Sequence, residues 1–254
     1  MSENKSVAPS EKKVKTEKVI TTMKRYEFKY LMTPEQTEAL KKRLVGHMEI
    51  DQYGVTSIAS IYYDTPDYRL IRTSIEKPPF KEKMRLRSYG LAKKDSTLFL
   101  ELKRKAYGIV YKRRVTTTQD AVDKFLNYEG DVCADGQIAR ELTYFRNYYK
   151  KLVPAFLIIY DRIAYFQPQG DLRLTIDADP RYRATDLNLF TSMEGELLMP
   201  QGKGSAILEV KVQQSVPLWL SAILDDLKIY KGSFSKVGEA YKAQAKKKIN
   251  IKEG

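Results

Sequence analysis

Polar and apolar residues alternate with a period of two along much of the chain, the pattern of β-strands that bury one face. In Arg25–Tyr30, Arg25, Glu27 and Lys29 share one face, while Tyr26, Phe28 and Tyr30 share the other. Lys83, Arg85 and Arg87 oppose Met84 and Leu86, and Glu101 and Lys103 oppose Leu98, Leu100 and Leu102. Val110, Lys112 and Arg114 share a face, as do Tyr160 and Arg162 within Leu157–Tyr165. Arg173, Thr175 and Asp177 oppose Leu172, Leu174 and Ile176, and Glu209 and Lys211 oppose Leu208, Val210 and Val212. With Ile58–Tyr63 this predicts about eight strands, mostly antiparallel because the spacers are short.

Helical signals lie between these runs. Thr33-Pro34-Glu35-Gln36 combines an N-cap Thr, Pro in the first turn and a capping-box Gln, opening a helix expected to reach about Met48. Further helices are expected near 120–127, 137–151, 217–227 and 235–248. Pro180–Ser205 reads as a long loop, open as lid, partner surface or crossover.

Charge changes this picture more than composition does. The 254 residues carry 45 Lys+Arg against 32 Asp+Glu, a formal net charge of +13. A hydrophobic content of 43% excludes a largely disordered chain. The single cysteine, Cys133, excludes an internal disulfide framework and suits a reducing, cytoplasmic setting. No apolar run is long enough for a transmembrane helix. Residues 1–24 hold six Lys and three Glu without periodicity, and 242–254 hold five Lys and one Glu. These ends serve solubility or dock on an acidic surface. The polar strand faces carry Lys and Arg in strand after strand, with Glu-x-Lys recurring at Glu27/Lys29, Glu101/Lys103 and Glu209/Lys211. Cationic faces turned inward, with helices over the apolar faces, describe an α+β fold: a closed antiparallel β-barrel of about eight strands with helices packed outside. Like charges in so narrow a bore call for a thin, highly charged anion such as a triphosphate or polyphosphate.

Other chemistries lack their parts. No Walker A sequence occurs, and Gly202-Lys203-Gly204-Ser205 has the wrong spacing and precedes a strand. His47, the only histidine, lies on a Lys-rich helix end, and Cys133 lies in a loop without a nearby base. Ser/His/Asp and cysteine nucleophile mechanisms are therefore not expected. Any metal must be held by carboxylates and phosphate oxygens, which favours Mg²⁺ or Mn²⁺.

The cationic strands with inward Glu-x-Lys pairs resemble the triphosphate tunnel metalloenzymes, and among them the VTC domain. That domain is the polyphosphate polymerase of the vacuolar transporter chaperone complex and of free-standing bacterial relatives. The likeness is carried by Arg25–Tyr30, Ile61–Asp67, Arg85-Leu86-Arg87, Glu101-Leu102-Lys103 and Tyr111–Arg114. It continues through Tyr160-Asp161-Arg162, Arg173–Asp177, Ile207–Lys211 and Ser233–Lys236. The resemblance implies a tail over 1–23, one tunnel domain over 24–248 and a short tail over 249–254. It implies a manganese- or magnesium-dependent enzyme that extends inorganic polyphosphate from ATP, with neither nucleic acid nor a transmembrane segment involved. By motif, Arg85, Arg87, Lys112 and Glu209 would be catalytic. Lys29, Lys103, Arg114, Arg162, Arg173, Ser235 and Lys236 would hold phosphate, with Lys211 and Lys231 as helpers. Glu209 would be the metal ligand, with Glu27 and Glu101 as further candidates.

One departure bears on the reaction. Many tunnel hydrolases open with Glu-x-Glu-x-Lys, whereas Arg25 stands here in place of the first Glu. Losing that carboxylate disfavours a two-metal hydrolytic site and favours the polymerase branch. Three alternatives stay open on the sequence: a triphosphatase of the same fold, a non-enzymatic polyphosphate-binding module, and a single-strand nucleic-acid binder suggested by the 18 Tyr.

Overall fold

The capping box predicted at Thr33 forms. In a computed structural model, which describes residues 26–107, 109–132 and 136–253, Thr33 Oγ1 accepts from the Gln36 amide at 3.2 Å. Gln36 Oε1 accepts in return from the Thr33 amide at 2.9 Å. Strand β1 (Tyr26–Met32) precedes this box and helix α1 (Pro34–Leu44) follows it. The helix stops short of Met48 because Val45 turns extended and Gly46 takes a left-handed φ of 83°. Strand β2 (Glu49–Asp64) begins well before Ile58, with a register shift between Ile50 and Val55.

Helix α2 (Arg69–Glu76) is not among the helices expected from periodicity. It is anchored by Asp64, whose carboxylate accepts from the amides of Thr65, Leu70 and Ile71 at 2.7, 2.8 and 2.8 Å. The Asp64-Thr65-Pro66-Asp67 motif thus builds a helix start. Strands β3 (Phe80–Tyr89), β4 (Leu98–Ala106) and β5 (Ile109–Thr117) form a meander. Helices α3 (Gln119–Leu126) and α4 (Gln137–Tyr149) follow. Then come β6 (Val153–Phe166), β7 (Arg173–Arg183), the two-residue β8 (Glu196–Leu197), and β9 (Ala206–Val212). Helix α5 (Leu218–Asp226), the two-residue β10 (Lys231–Gly232) and α6 (Lys236–Glu253) complete the described chain.

The ten strands form one antiparallel sheet in the order β10-β1-β9-β7-β6-β2-β3-β4-β5, with β8 added to β7. The expected closed barrel is not met at the level of the backbone: among the described residues β5 and β10, the two ends of the path, do not pair with each other. Curvature nevertheless brings the ends together through side chains. Lys103 Nζ of β4 lies 3.9 Å from Glu27 of β1, and Lys83 Nζ of β3 donates to Ser235 Oγ beyond β10 at 2.9 Å.

Apolar residues cover both halves of the convex face. Leu40, Leu44 and Leu220 of α1 and α5 pack on Met32, Leu208 and Val210. Phe125 and Phe145 of α3 and α4 pack on Ile61, Leu86 and Leu100. Each fully buried Leu contributes about 1.5–3 kcal/mol. The expectation that all helices lie outside is corrected at α2 and α6. Ile71, Val237 and Ala240 pack with Ile158 and Tyr160, which alternation puts on the same face of β6 as Arg162. The concave side is therefore filled by helix near those residues.

Residues 184–195 form a packed crossover. Leu189 is buried and its carbonyl accepts from the Ala92 amide at 3.0 Å, while Phe190 and Met193 pack against the convex core. His47 stacks on Trp219 at 4.3 Å, away from the cationic strand faces. Arg25, Cys133 and the N-terminal tail lie outside the described residues.

Candidate functional site

Strand register arranges the concave face of β3, β4 and β5 in cross-strand rows. Arg85, Glu101 and Arg114 form one row, and Lys83, Lys103 and Lys112 form the next. Glu101 is buried and both its oxygens are taken. Oε2 accepts from Arg85 Nε at 2.7 Å, while Oε1 accepts from Arg114 Nε at 2.7 Å and pairs with Lys112 Nζ at 2.8 Å. Arg87 Nη2 stands 3.8 Å from the same carboxylate and also donates to Tyr160 Oη at 3.2 Å. Burial opposes ionisation of Glu101, but Arg85, Arg87 and Lys112 override it and hold the carboxyl far below its ordinary range. One carboxylate thus gathers four cations, of which Arg85 and Lys112 line a cavity and Arg87 is buried behind them.

A second ionic cluster forms on β1, β9, β7, β6 and α6. Arg162 grips Asp177 through two hydrogen bonds of 2.6 and 2.8 Å, and Lys236 Nζ reaches Asp177 Oδ2 at 2.5 Å. Lys29 and Lys211 each lie 3.2 Å from Glu209. Ser235 delivers Lys236 here by capping α6, its Oγ accepting from the Gly238 amide at 3.3 Å. Burial raises the pKa of Glu209, but Lys236, Lys29, Lys211 and Arg162 outweigh it and keep the carboxyl strongly acidic. Asp177 is likewise lowered, against burial, by Lys236 and Arg162.

Beside the Glu101 clamp lies a small, partly open cavity of about 30 Å³ lined by Tyr62, Lys83, Arg85, Glu101, Lys103 and Lys112. Tyr62 Oη accepts from Arg85 Nη1 at 2.8 Å. Burial would raise the phenol, yet Arg85, Lys83 and Arg87 bring its pKa down to about 8. Lys83 is lowered to about 8 by burial, with Lys29, Lys103 and Lys81 adding repulsion.

Most of the expected residues are brought together: Arg85, Arg87, Lys112, Arg114 and Lys103 around or beside Glu101, and Lys29, Arg162, Lys211 and Lys236 around Asp177 and Glu209. Two are not. Lys231 pairs in register with Tyr30 and lies over the Phe28 ring at 4.5 Å, on the convex face. Arg173 lies exposed at the start of β7 over the Phe166 ring. Sequence reasoning missed Asp177, Tyr62, Lys83, Ser60 and Tyr160 as site residues. Alternation with Arg162, Arg85 or Arg87 and register across β2 and β6 were the signals available.

Carboxylate oxygens are suited to Mg²⁺ or Mn²⁺. Glu101 is a poor donor because its oxygens are taken by cations, and Glu27 is loosely paired at 3.9 Å to both Lys29 and Lys103. Glu209 is also paired, to Lys29 and Lys211 at 3.2 Å, so a metal there would have to displace a lysine; what sets it apart is Thr175, opposite it in register, whose buried hydroxyl oxygen has no hydrogen-bond partner. Among the described residues no group of three or more His, Cys, Asp or Glu side chains could hold a metal, so phosphate and water would complete the coordination.

The fold and this site define a protein with a curved antiparallel sheet that gathers cations around buried carboxylates on its concave face. The VTC domain family model matches residues 24–244, and the chain belongs to that family. No match was found among curated proteins. Among solved structures, a Bacillus halodurans protein named "putative adenylate cyclase" aligns with a TM-score of 0.53 and 15% identity. The alignment covers 82% of this chain and 92% of that one. A Hippeastrum protein named "putative adenylyl cyclase", described as having a dominant triphosphatase activity, aligns with a TM-score of 0.52 and 16% identity, covering 83% and 92%. Both likenesses concern the fold.

Proposed function

We propose that this protein is an inorganic polyphosphate polymerase that transfers the terminal phosphoryl group of ATP to a polyphosphate chain and releases ADP. The observation that carries the reading is the cavity where Arg85, Lys83, Lys103 and Lys112 converge beside the clamp of Glu101. Its lining of three lysines and Arg85 suits phosphate oxygens. Membership of the VTC domain family supports it.

Phosphoryl transfer depends on alignment and charge neutralisation. Arg85 presents a planar guanidinium group held in place by Glu101 and Tyr62, and Arg87, fixed by Ser60 and Tyr160, supports the same carboxylate from the buried side, so little reorganisation is needed when phosphate arrives. Lys83, Lys103 and Lys112 neutralise the phosphates seated beside the Glu101 clamp. A terminal oxygen of the chain, already anionic, attacks the γ-phosphorus of ATP. The bond to the bridging oxygen breaks and its electron pair leaves with ADP, so no general base is required. Glu209, with the Thr175 hydroxyl beside it, would hold a Mn²⁺ or Mg²⁺ ion in place of a lysine, and the ion would neutralise phosphate charge. Among the described residues no helix is long and apolar enough to cross a membrane. A cytoplasmic setting belongs to the proposal.

The test is purified protein with ATP and Mn²⁺, with and without a polyphosphate primer, reading polymer on a gel alongside ADP. Polymer that vanishes in Glu209→Gln is the expected result; wild-type protein that makes none defeats the polymerase reading. A second reading, water in place of the chain as nucleophile, is favoured by the fold shared with the Hippeastrum protein described as a triphosphatase. Orthophosphate without polymer would establish it.

A further inference from the structure

The cationic rows of β3 and β4 continue past the cavity. Beyond Lys83, Lys103 and Lys112, the next row sets Lys81 directly opposite Lys105, with Val110 of β5 as its third member. Rows are two residues apart along each strand, about 7 Å. Like charges directly opposite one another destabilise a sheet.

The convex face of the same strands is treated differently. There Arg104 pairs with Glu82 and, at 3.2 Å, with Glu141, and Arg113 Nε lies 3.0 Å from Glu141. Among the described residues Lys81 and Lys105 have no acidic partner, although each is one residue from a side chain in that matched network. Lys77, the left-handed residue that ends α2, adds a third charge. Burial first, then Lys105, Lys77 and Lys103, lower the affinity of Lys81 for its proton. The convex face thus matches its cations with acids, and Glu101 and Glu27 pair those of the next concave rows, while the Lys81 and Lys105 row is left without one.

We propose that Lys81 and Lys105, with Lys77, form a second anion-binding step that holds the part of a linear inorganic polyphosphate chain extending past the cavity. This rests on the reading of the cavity as a phosphate site and adds a dependence on chain length. A triphosphate fills the rows of Arg85 and Lys83; a long chain continues onto the Lys81 and Lys105 row and relieves its repulsion.

The experiment compares the affinities of tripolyphosphate and long-chain polyphosphate for wild-type protein and for Lys81→Ala/Lys105→Ala, across a salt series. Long-chain affinity is expected to fall by about tenfold, equivalent to about 1.4 kcal/mol, with a shallower salt dependence. Tripolyphosphate affinity is expected to stay the same, and Lys81→Arg/Lys105→Arg, which keeps both charges, to bind the long chain like wild type. Equal losses for both ligands, or no loss for either, overturn the proposal while leaving the cavity's role intact. Wild-type protein that binds neither ligand overturns that role as well. If the double Ala variant keeps long-chain binding but no longer sediments with vesicles containing phosphatidylserine, the lysines contact a membrane surface and the chain assignment falls.

Discussion

Arg162 and Asp177 form a two-pronged ion pair, Nε to Oδ1 at 2.6 Å and Nη2 to Oδ2 at 2.8 Å, with the carboxylate fully buried. Lys236 closes the same carboxylate from α6 at 2.5 Å. One acid thus ties β6, β7 and the helix on the concave side into one unit.

Asp177→Ala takes from Arg162 and Lys236 the acid that bonds both, leaving only Glu209, 4.0 Å from Arg162, as a counter-charge. Removing one partner of a buried pair costs about 3–5 kcal/mol, and chemical denaturation should show a loss in that range. Saturating tripolyphosphate should recover part of it, because a ligand bound only by the folded state stabilises by mass action. A loss below about 1 kcal/mol would place the pair among weak surface bridges.

Glu101 makes a pH-dependent contribution. Its pKa is depressed in the folded protein, because Arg85, Arg87 and Lys112 outweigh burial. A depressed carboxyl stabilises fully above its unfolded value of about 4.3 and loses that stabilisation as pH falls toward the folded value. Unfolding free energy measured from neutral pH downward should drop in wild type, and Glu101→Gln should flatten the acid limb. An unchanged slope in the variant would remove Glu101 from the account.

Tyr62 and Lys83 titrate where the cavity is used. Both have a pKa near 8, the phenol drawn down by Arg85, Lys83 and Arg87 against burial, the amine by burial and neighbouring lysines. Raising pH through 8 adds a negative charge or removes a positive one. Affinity for tripolyphosphate should therefore fall between about pH 7 and 9, and more gently in Tyr62→Phe. A bound anion raises both pKa values, so binding near pH 8 should take up protons. Calorimetry in buffers of different ionisation enthalpy reads that uptake, and proton release would contradict the assignment.

Gly204 has a φ of 89°, and a Cβ there would lie 3.0 Å from the Pro34 side chain. Gly204→Ala should cost more than about 1 kcal/mol in denaturation. Tripolyphosphate binding should be unchanged, since the turn abuts the start of α1 and not the cavity.

Strand alternation made the two faces of the sheet legible from the order of residues alone. Arg85 and Arg87 share a face because two-residue periodicity leaves no other choice, and Thr33 and Gln36 cap α1 through bonds local in sequence. Helix α2 was not legible. Its start depends on the carboxylate of Asp64 reaching amides up to seven residues away, Leu70 and Ile71. Lys231 was misplaced because a two-residue strand has no periodicity of its own; only its pairing with Tyr30 shows which face it takes.

The sequence by itself determined that a cationic strand face exists, which residues belong to it, and to which family the chain belongs. Tertiary structure alone decided which acid meets which cations. Asp177 and Arg162 are 15 positions apart, Glu101 and Arg85 16, and Lys236 reaches Asp177 across 59. Those meetings are set by strand register, by curvature that carries Lys103 to Glu27, and by the docking of α6 on the concave side. Alternation is a local property of the backbone, whereas electrostatic pairing depends on separations of a few ångströms that only the folded sheet defines.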